Sequence, residues 1–149
     1  MSLRERIEAD MKAAMKAGET LRRDTLRMVI AGFKNKAVEP GRKSPDLSED
    51  EVQAVVAYSV KTRKDSATQY DEAGRPELAE KERAEIAVLE DYLPKQLDEA
   101  ATRAAVEAVI AETGATGKAD MGKVMKGVMA AHKGQVDGKL VSRLAGELL

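Results

Sequence analysis

Few side chains in this sequence could do covalent or proton chemistry. Cysteine is absent and His132 is the only histidine. Disulfides, thiolate catalysis and any two-histidine metal motif are thereby excluded. A Ser/His/Asp triad would have to use His132, which stands at an expected helix end without an activating partner nearby. There an imidazole suits the negative end of the helix dipole better than catalysis. Gly117-Lys118-Ala119-Asp120-Met121-Gly122-Lys123 fills the first seven positions of a P-loop, but the eighth is Val124. The hydroxyl that would hold Mg²⁺ is missing, the preceding segment reads as helix, and Asp120 would sit among the phosphates. No D-x-D-x-D-G calcium loop occurs. Glu77, Glu80, Glu82 and Glu85 alternate with basic residues and read as a solvated face, with Glu77, Lys81 and Glu85 spaced for pairing along it. Residue types therefore specify no catalytic group, no metal and no cofactor.

What remains is the chemistry of surfaces. On a helical wheel Lys123, Lys126 and Lys133 fall within roughly 80° of one another. Lys118 and Lys139 lie in the flanking turns, and residues 115–149 carry six Lys/Arg against three Asp/Glu. Such a face is either solvated or able to contact RNA phosphates, where lysines act as point charges. Opposite it, Met121, Val124, Met125, Val128 and Met129 recur at helical spacing. They form a core stripe or an adaptable docking groove. A second polar group is Arg63, Lys64, Asp65, Ser66, Tyr70 and Arg75. It reads either as ion pairs bracing a helical hairpin or as a recognition surface rich in hot-spot residue types.

Helices must position all of these groups, because no useful strand alternation appears. The first covers residues 2–17, capped at Ser2, striped by Leu3, Ile7, Met11 and Met15, and ended by Gly18. The second starts near Thr20 with Leu21, Leu26, Val29, Ile30 and Phe33, and is the most basic segment. Residues 39–45, with two prolines and a glycine, form a loop. Ser48 and Glu51 make a capping box for the third helix, which runs to about Tyr70 and stops at Gly74. Pro76 opens the fourth, and the short turn predicts an antiparallel hairpin. Pro94 marks a boundary. Asp98, Asp120 and Asp137 are expected caps for three shorter helices, the middle one ending near His132.

Composition limits what this scaffold can be. Of the 149 residues 43% are hydrophobic, yet there are one Phe and three Tyr, so the core must rest on Leu, Ile, Val and the seven Met. Charged residues make up 34% with a net charge of −1. Bulk charge gives no nucleic-acid signature, and any such role needs a local patch. The N-terminus carries Arg4, Glu5 and Arg6 at once and lacks the apolar run of a signal peptide. No stretch approaches the roughly 20 apolar residues that span a bilayer. A cytoplasmic location without membrane association is expected.

Four segments occur in an order that carries a resemblance. They are Asp10-Met11-Lys12-Ala13-Ala14-Met15-Lys16, then Arg63-Lys64-Asp65-Ser66-Ala67 with Tyr70, then Asp91-Tyr92-Leu93-Pro94-Lys95-Gln96-Leu97. The last is Asp120-Met121-Gly122-Lys123-Val124-Met125, followed by Lys133-Gly134 and Asp137-Gly138. Together they resemble a GatB/YqeY domain protein, the stand-alone relative of the tail of the GatB component of aspartyl/glutamyl-tRNA amidotransferase. The resemblance covers nearly the whole chain, although Ala130-Ala131-His132 replaces an expected proline-containing stretch. It implies an all-α chain: a four-helix N-terminal domain, residues 1–92, with a long helical hairpin, and a three-helix tail, residues 93–149, joined at a Pro94 hinge. It also implies an accessory role beside glutamine-dependent carbon–nitrogen ligation, with tRNA or an aminoacyl-tRNA complex as partner. The tail positions carried over as RNA contacts are Lys123, Lys126, Lys133 and Lys139. Arg63 and Lys64, with Arg22, Arg23 and Arg27, are weaker candidates on the N-terminal domain. Gly122, Gly134 and Gly138 are carried over as backbone positions, needed for close approach or positive φ. Two rival functions stay open: an adaptor docking an amidotransferase or translation component, and an enzyme assisting transamidation.

Overall fold

Three helix starts follow directly from capping chemistry. Ser2 and Ser48 each accept the backbone N–H three residues on, at 3.1 Å, and Glu5 and Glu51 reciprocate to the serine N–H. These are complete capping boxes. They open α1 (Leu3–Ala17) and α3 (Glu49–Glu72). Asp98 accepts the Ala101 N–H at 2.7 Å and opens α5 (Glu99–Thr113). The remaining helices are α2 (Thr20–Ala37), α4 (Pro76–Glu90), α6 (Met121–Ala131) and α7 (Gly138–Leu148). The computed structural model describes residues 1–149 and contains no strand. It divides into two compact units, Met1–Leu93 and Pro94–Leu149, so the break falls one residue beyond the expected position.

In the first unit, α3 and α4 form the long hairpin and α1 and α2 pack as a second pair. The centre holds Ile7, Leu26, Val29, Phe33, Val52, Val56 and Leu89, all essentially inaccessible. Burying each such side chain stabilises by about 1.5–3 kcal/mol. The core rests on branched aliphatics and the single Phe, and methionine does not join them. Met1, Met15, Met28 and Met129 are exposed, and Met11, Met121 and Met125 only edge the cores. Long, flexible thioethers suit irregular margins better than the centre.

A polar knot closes one end of this unit. The Tyr92 Oη donates to Asp10 Oδ2 at 2.6 Å and accepts from Arg22 Nη2 at 2.9 Å. The Arg6 guanidinium lies over the ring, 4.7 Å from its centroid. Burial, reinforced by the bond to Asp10, pushes the Tyr92 phenol up to about 12. It stays a donor at any physiological pH.

The loop between α2 and α3 is held by Arg42. Its guanidinium bonds the carbonyls of Ser44 and Asp46 and both oxygens of Glu51. The Arg42 bond, followed by that from the Ser48 N–H, holds the Glu51 carboxyl down from 4.5 to about 2. A lowered folded-state value means that ionised Glu51 contributes to stability above about pH 4.5. That contribution is lost as pH falls from there through about 2. Protection of the Ser48 amide, relative to its intrinsic exchange rate, should therefore fall across that window. In Glu51→Ala, which removes the acceptor, that protection should be low already at neutral pH, with no acid step.

In the second unit, α5, α6 and α7 enclose Val106, Val109, Val124, Val128, Val141 and Leu144. Gly114 and Gly134 adopt φ of +68° and +74°. Gly122 and Gly138 do not: both are helical residues, and a Cβ at either would meet open space. The backbone role expected of them is corrected accordingly. The close approach falls at Gly127, where a Cβ would lie 2.6 Å from Val109 Cγ1 on α5. Gly127→Ala should destabilise this unit by about 1–3 kcal/mol, because a β-branched neighbour has no free rotamer to yield into. Gly122→Ala should be neutral or mildly stabilising by helix propensity. Paired thermal melts check both; equal melting temperatures would contradict the α5–α6 crossing.

Candidate nucleic-acid interface

The tail begins with a clasp between two of its most distinctive segments. Gln96 Nε2 donates to the Gly134 carbonyl at 2.6 Å, Leu97 N–H to the Gln135 carbonyl at 2.8 Å, and Gln135 Nε2 to the Lys95 carbonyl at 3.2 Å. Gly134, in the left-handed region, turns the chain so that the carbonyls face the segment after Pro94. This places the α6–α7 turn. The start of α6 is organised differently from expectation. A 3₁₀ turn, Lys118–Asp120, runs straight into it, and Asp120 has φ −92° and ψ 3°. That backbone cannot cap, and its Oδ2 instead accepts the Thr116 N–H at 3.1 Å, closing the loop ahead.

On α6, Val124 and Val128 are buried while Lys123 and Lys126 project from the opposite side, exposed. Met121 and Met125 are partly buried, so the stripe is mainly core, with Met129 at its rim 39% exposed. The helix ends at Ala131 with His132 as its C-terminal cap. Lys133 therefore lies beyond the helix, and its expected wheel position beside Lys123 and Lys126 does not apply. Lys118 and Lys139 are exposed in the flanking turn and first turn of α7.

The carboxylates of this unit are mostly engaged elsewhere. Asp98 and Asp137 cap helices and Asp120 closes its loop. Glu147 pairs with Arg103 at 3.0 Å, and Glu99 pairs with Arg143. Lys118, Lys123, Lys126 and Lys139 have no carboxylate within ion-pair distance. Four uncompensated ammonium groups thus lie on α6 and its two flanking turns. Such point charges can bind phosphate oxygens but cannot read a base in the bidentate manner of arginine.

The N-terminal candidates fare differently. Arg63 is 8% exposed and fully engaged. Its Nε donates to Glu85 at 2.9 Å, Nη1 to the Ser59 carbonyl at 3.1 Å, and Nη2 to Met28 Sδ at 3.5 Å. It braces α3 against α4 and is unavailable to a phosphate. Glu85 is correspondingly turned inward, correcting the expected solvated Glu77-Lys81-Glu85 row; Glu77 pairs with Arg75 instead. Lys64 is exposed beside an open groove between α3 and α4, its Nζ 4.0 Å from Glu90. Arg22 belongs to the Tyr92 knot and Arg23 pairs with Asp24. Gly127, the Arg63–Glu85 pair and the Tyr92 knot had no local signal, since each partner lies on another helix.

Comparison with known proteins decides the family. A family model described as Yqey-like protein matches residues 4–149. The chain belongs to this family. Relatives named altered inheritance of mitochondria protein 41, mitochondrial, are found in several fungi. That of Kluyveromyces lactis is 38% identical over 86 residues, covering 58% of this chain and 45% of the relative. That of Lachancea thermotolerans is 33% identical over 87 residues, covering 58% and 46%. The Pyrenophora tritici-repentis protein is 28% identical over 152 residues, covering 97% and 79%. The chain spans less than half the length of the first two relatives. No helix is long and apolar enough to cross a membrane.

Proposed function

We propose that this YqeY-like chain is an accessory RNA-binding protein, holding tRNA or an aminoacyl-tRNA complex without chemistry of its own. The observation that carries the reading is the set of four exposed lysines on α6 and its flanking turns, in a unit whose arginines are paired with carboxylates. Base stacking cannot be the main mode: Phe33 and Tyr92 are buried, leaving Tyr58 and the half-buried Tyr70. Phosphate contact is what remains. The relatives are mitochondrial by name, which points away from the cytoplasmic location expected above; the reading holds in a mitochondrial setting as well. Lys123→Glu with Lys126→Glu should weaken tRNA binding by at least about tenfold and equally for unrelated tRNA sequences. Unchanged affinity, or loss confined to one sequence, would overturn it.

One observation favours a second reading, an adaptor for an amidotransferase or translation component. Between α2 and α3 lies a groove of about 480 Å³ with Gly32 and Val55 in its lining and Met28 and Tyr58 at its edge. Those two side chains are 61% and 67% exposed. Co-purification that survives nuclease and high salt, and is lost in Tyr58→Ala, would favour the adaptor.

A further inference from the structure

The first unit carries 17 Lys/Arg against 19 Asp/Glu, yet its positive charge is unevenly placed. At the end of α1, Lys12 precedes Met15 by about one turn and Lys16 follows it. From α2, Arg27 Nη2 reaches the Met15 sulfur at 3.5 Å, which brings its guanidinium to the same spot. Lys12, Lys16 and Arg27 are exposed, and none has a carboxylate within ion-pair distance. The patch continues along α2. Asp24 is hydrogen-bonded by Arg23 at 2.8 Å. The Arg23 bond holds the Asp24 carboxyl below its usual value, with the fields of Arg27 and of Lys81 on α4 adding to it. Glu19, in the turn between α1 and α2, is the nearest unengaged carboxylate along the chain.

Arg23, Arg27 and Lys81 act on the single carboxylate of Asp24, and Lys12 and Lys16 add unpaired, exposed charge on α1; on a unit of net negative charge this makes an asymmetric surface. Such asymmetry steers polyanions rather than raising general solubility. Neither groove of this unit is lined by these residues, so the surface is not shaped for a single small anion. Its exposed apolar side chains are Met15 and Leu21, at 45% and 40% exposure. That is little to insert among acyl chains, and favours a nucleic-acid backbone over a lipid surface.

We infer that the α1–α2 face around Lys12, Lys16 and Arg27 is a second phosphate-binding surface for RNA. The choice of RNA as the polyanion rests on the function proposed above; the surface itself stands on its own charges. Two phosphate-reading surfaces on one chain raise affinity beyond either alone, provided both can engage one RNA.

The test is a tRNA titration of the full chain across a salt series, with the triple variant Lys12→Gln, Lys16→Gln and Arg27→Gln. A charge-preserving counterpart carries Lys12→Arg, Lys16→Arg and Arg27→Lys. The neutral variant should bind at least about tenfold more weakly at roughly 50 mM salt. Its log K against log salt should be shallower by about 2.7, three contacts at roughly 0.9 each. The charge-preserving variant should bind like the parent, and both should melt like it. If the neutral variant keeps the parental affinity and slope while Lys123→Glu with Lys126→Glu loses both, this inference fails and the tail surface stands. If the parent binds no tRNA even at the lowest salt, both fail. If the neutral variant loses binding only to phosphatidylserine vesicles, the occupant is a lipid surface and the RNA assignment is overturned.

Discussion

Glu85→Ala should lower the stability of the first unit by about 3 kcal/mol, the low end of what breaking a buried pair costs. The side chains of Arg63 and Glu85 are 9% and 14% exposed, so water cannot replace the lost carboxylate. The remaining bonds of Arg63 go to the neutral Ser59 carbonyl and the Met28 sulfur, and neither compensates its charge. For a unit of this size the melting temperature should fall on the order of 15 °C. The double change Arg63→Met with Glu85→Leu should recover most of that loss. It removes both charges and fills the site with apolar volume, often a near-neutral exchange. A single variant melting within about 2 °C of the parent would contradict the buried pair. A double variant no better than the single would contradict the explanation.

How far the sequence was legible depended on whether a signal was local. The capping boxes at Ser2 and Ser48, Gly18 and Gly114 as stops, and Pro76 as a start act within four residues, and the helices begin and end there. Positions set by crossing helices were not legible. Gly127 matters because of Val109, 18 residues away, while the more conspicuous Gly122 and Gly138 touch nothing. Glu85 sits in an alternating charged run that conceals which carboxylate turns inward; its partner lies 22 residues back. Tyr92 meets Asp10 across 82 residues. The lysines of the tail were legible as residues, but their lack of partners was not. That required knowing that Asp98, Asp120, Asp137, Glu99 and Glu147 are all engaged elsewhere. The placement of Lys133 failed because Ala131 ends the helix two residues earlier.

The second large effect is the response of tRNA affinity to salt. Each phosphate neutralised releases condensed counterions, and log K then falls with log salt by about 0.9 per contact. If each of Lys118, Lys123, Lys126 and Lys139 meets one phosphate, as proposed, the slope should be about −3.6, so raising salt from roughly 50 to 200 mM should weaken binding roughly 100-fold or more. Because these side chains are exposed, charge reversal there should leave folding intact while changing the slope. Removing two contacts by Lys123→Glu and Lys126→Glu should make it shallower by about 1.8.

The most direct measurement is therefore a tRNA titration of the intact chain at roughly 50 and 200 mM salt, beside the double lysine variant. A steep loss of affinity in the parent and a shallower one in the variant is the predicted result. Binding indifferent to salt, or a parent and variant with the same slope, would contradict the claim that α6 and its turns are a phosphate-binding surface.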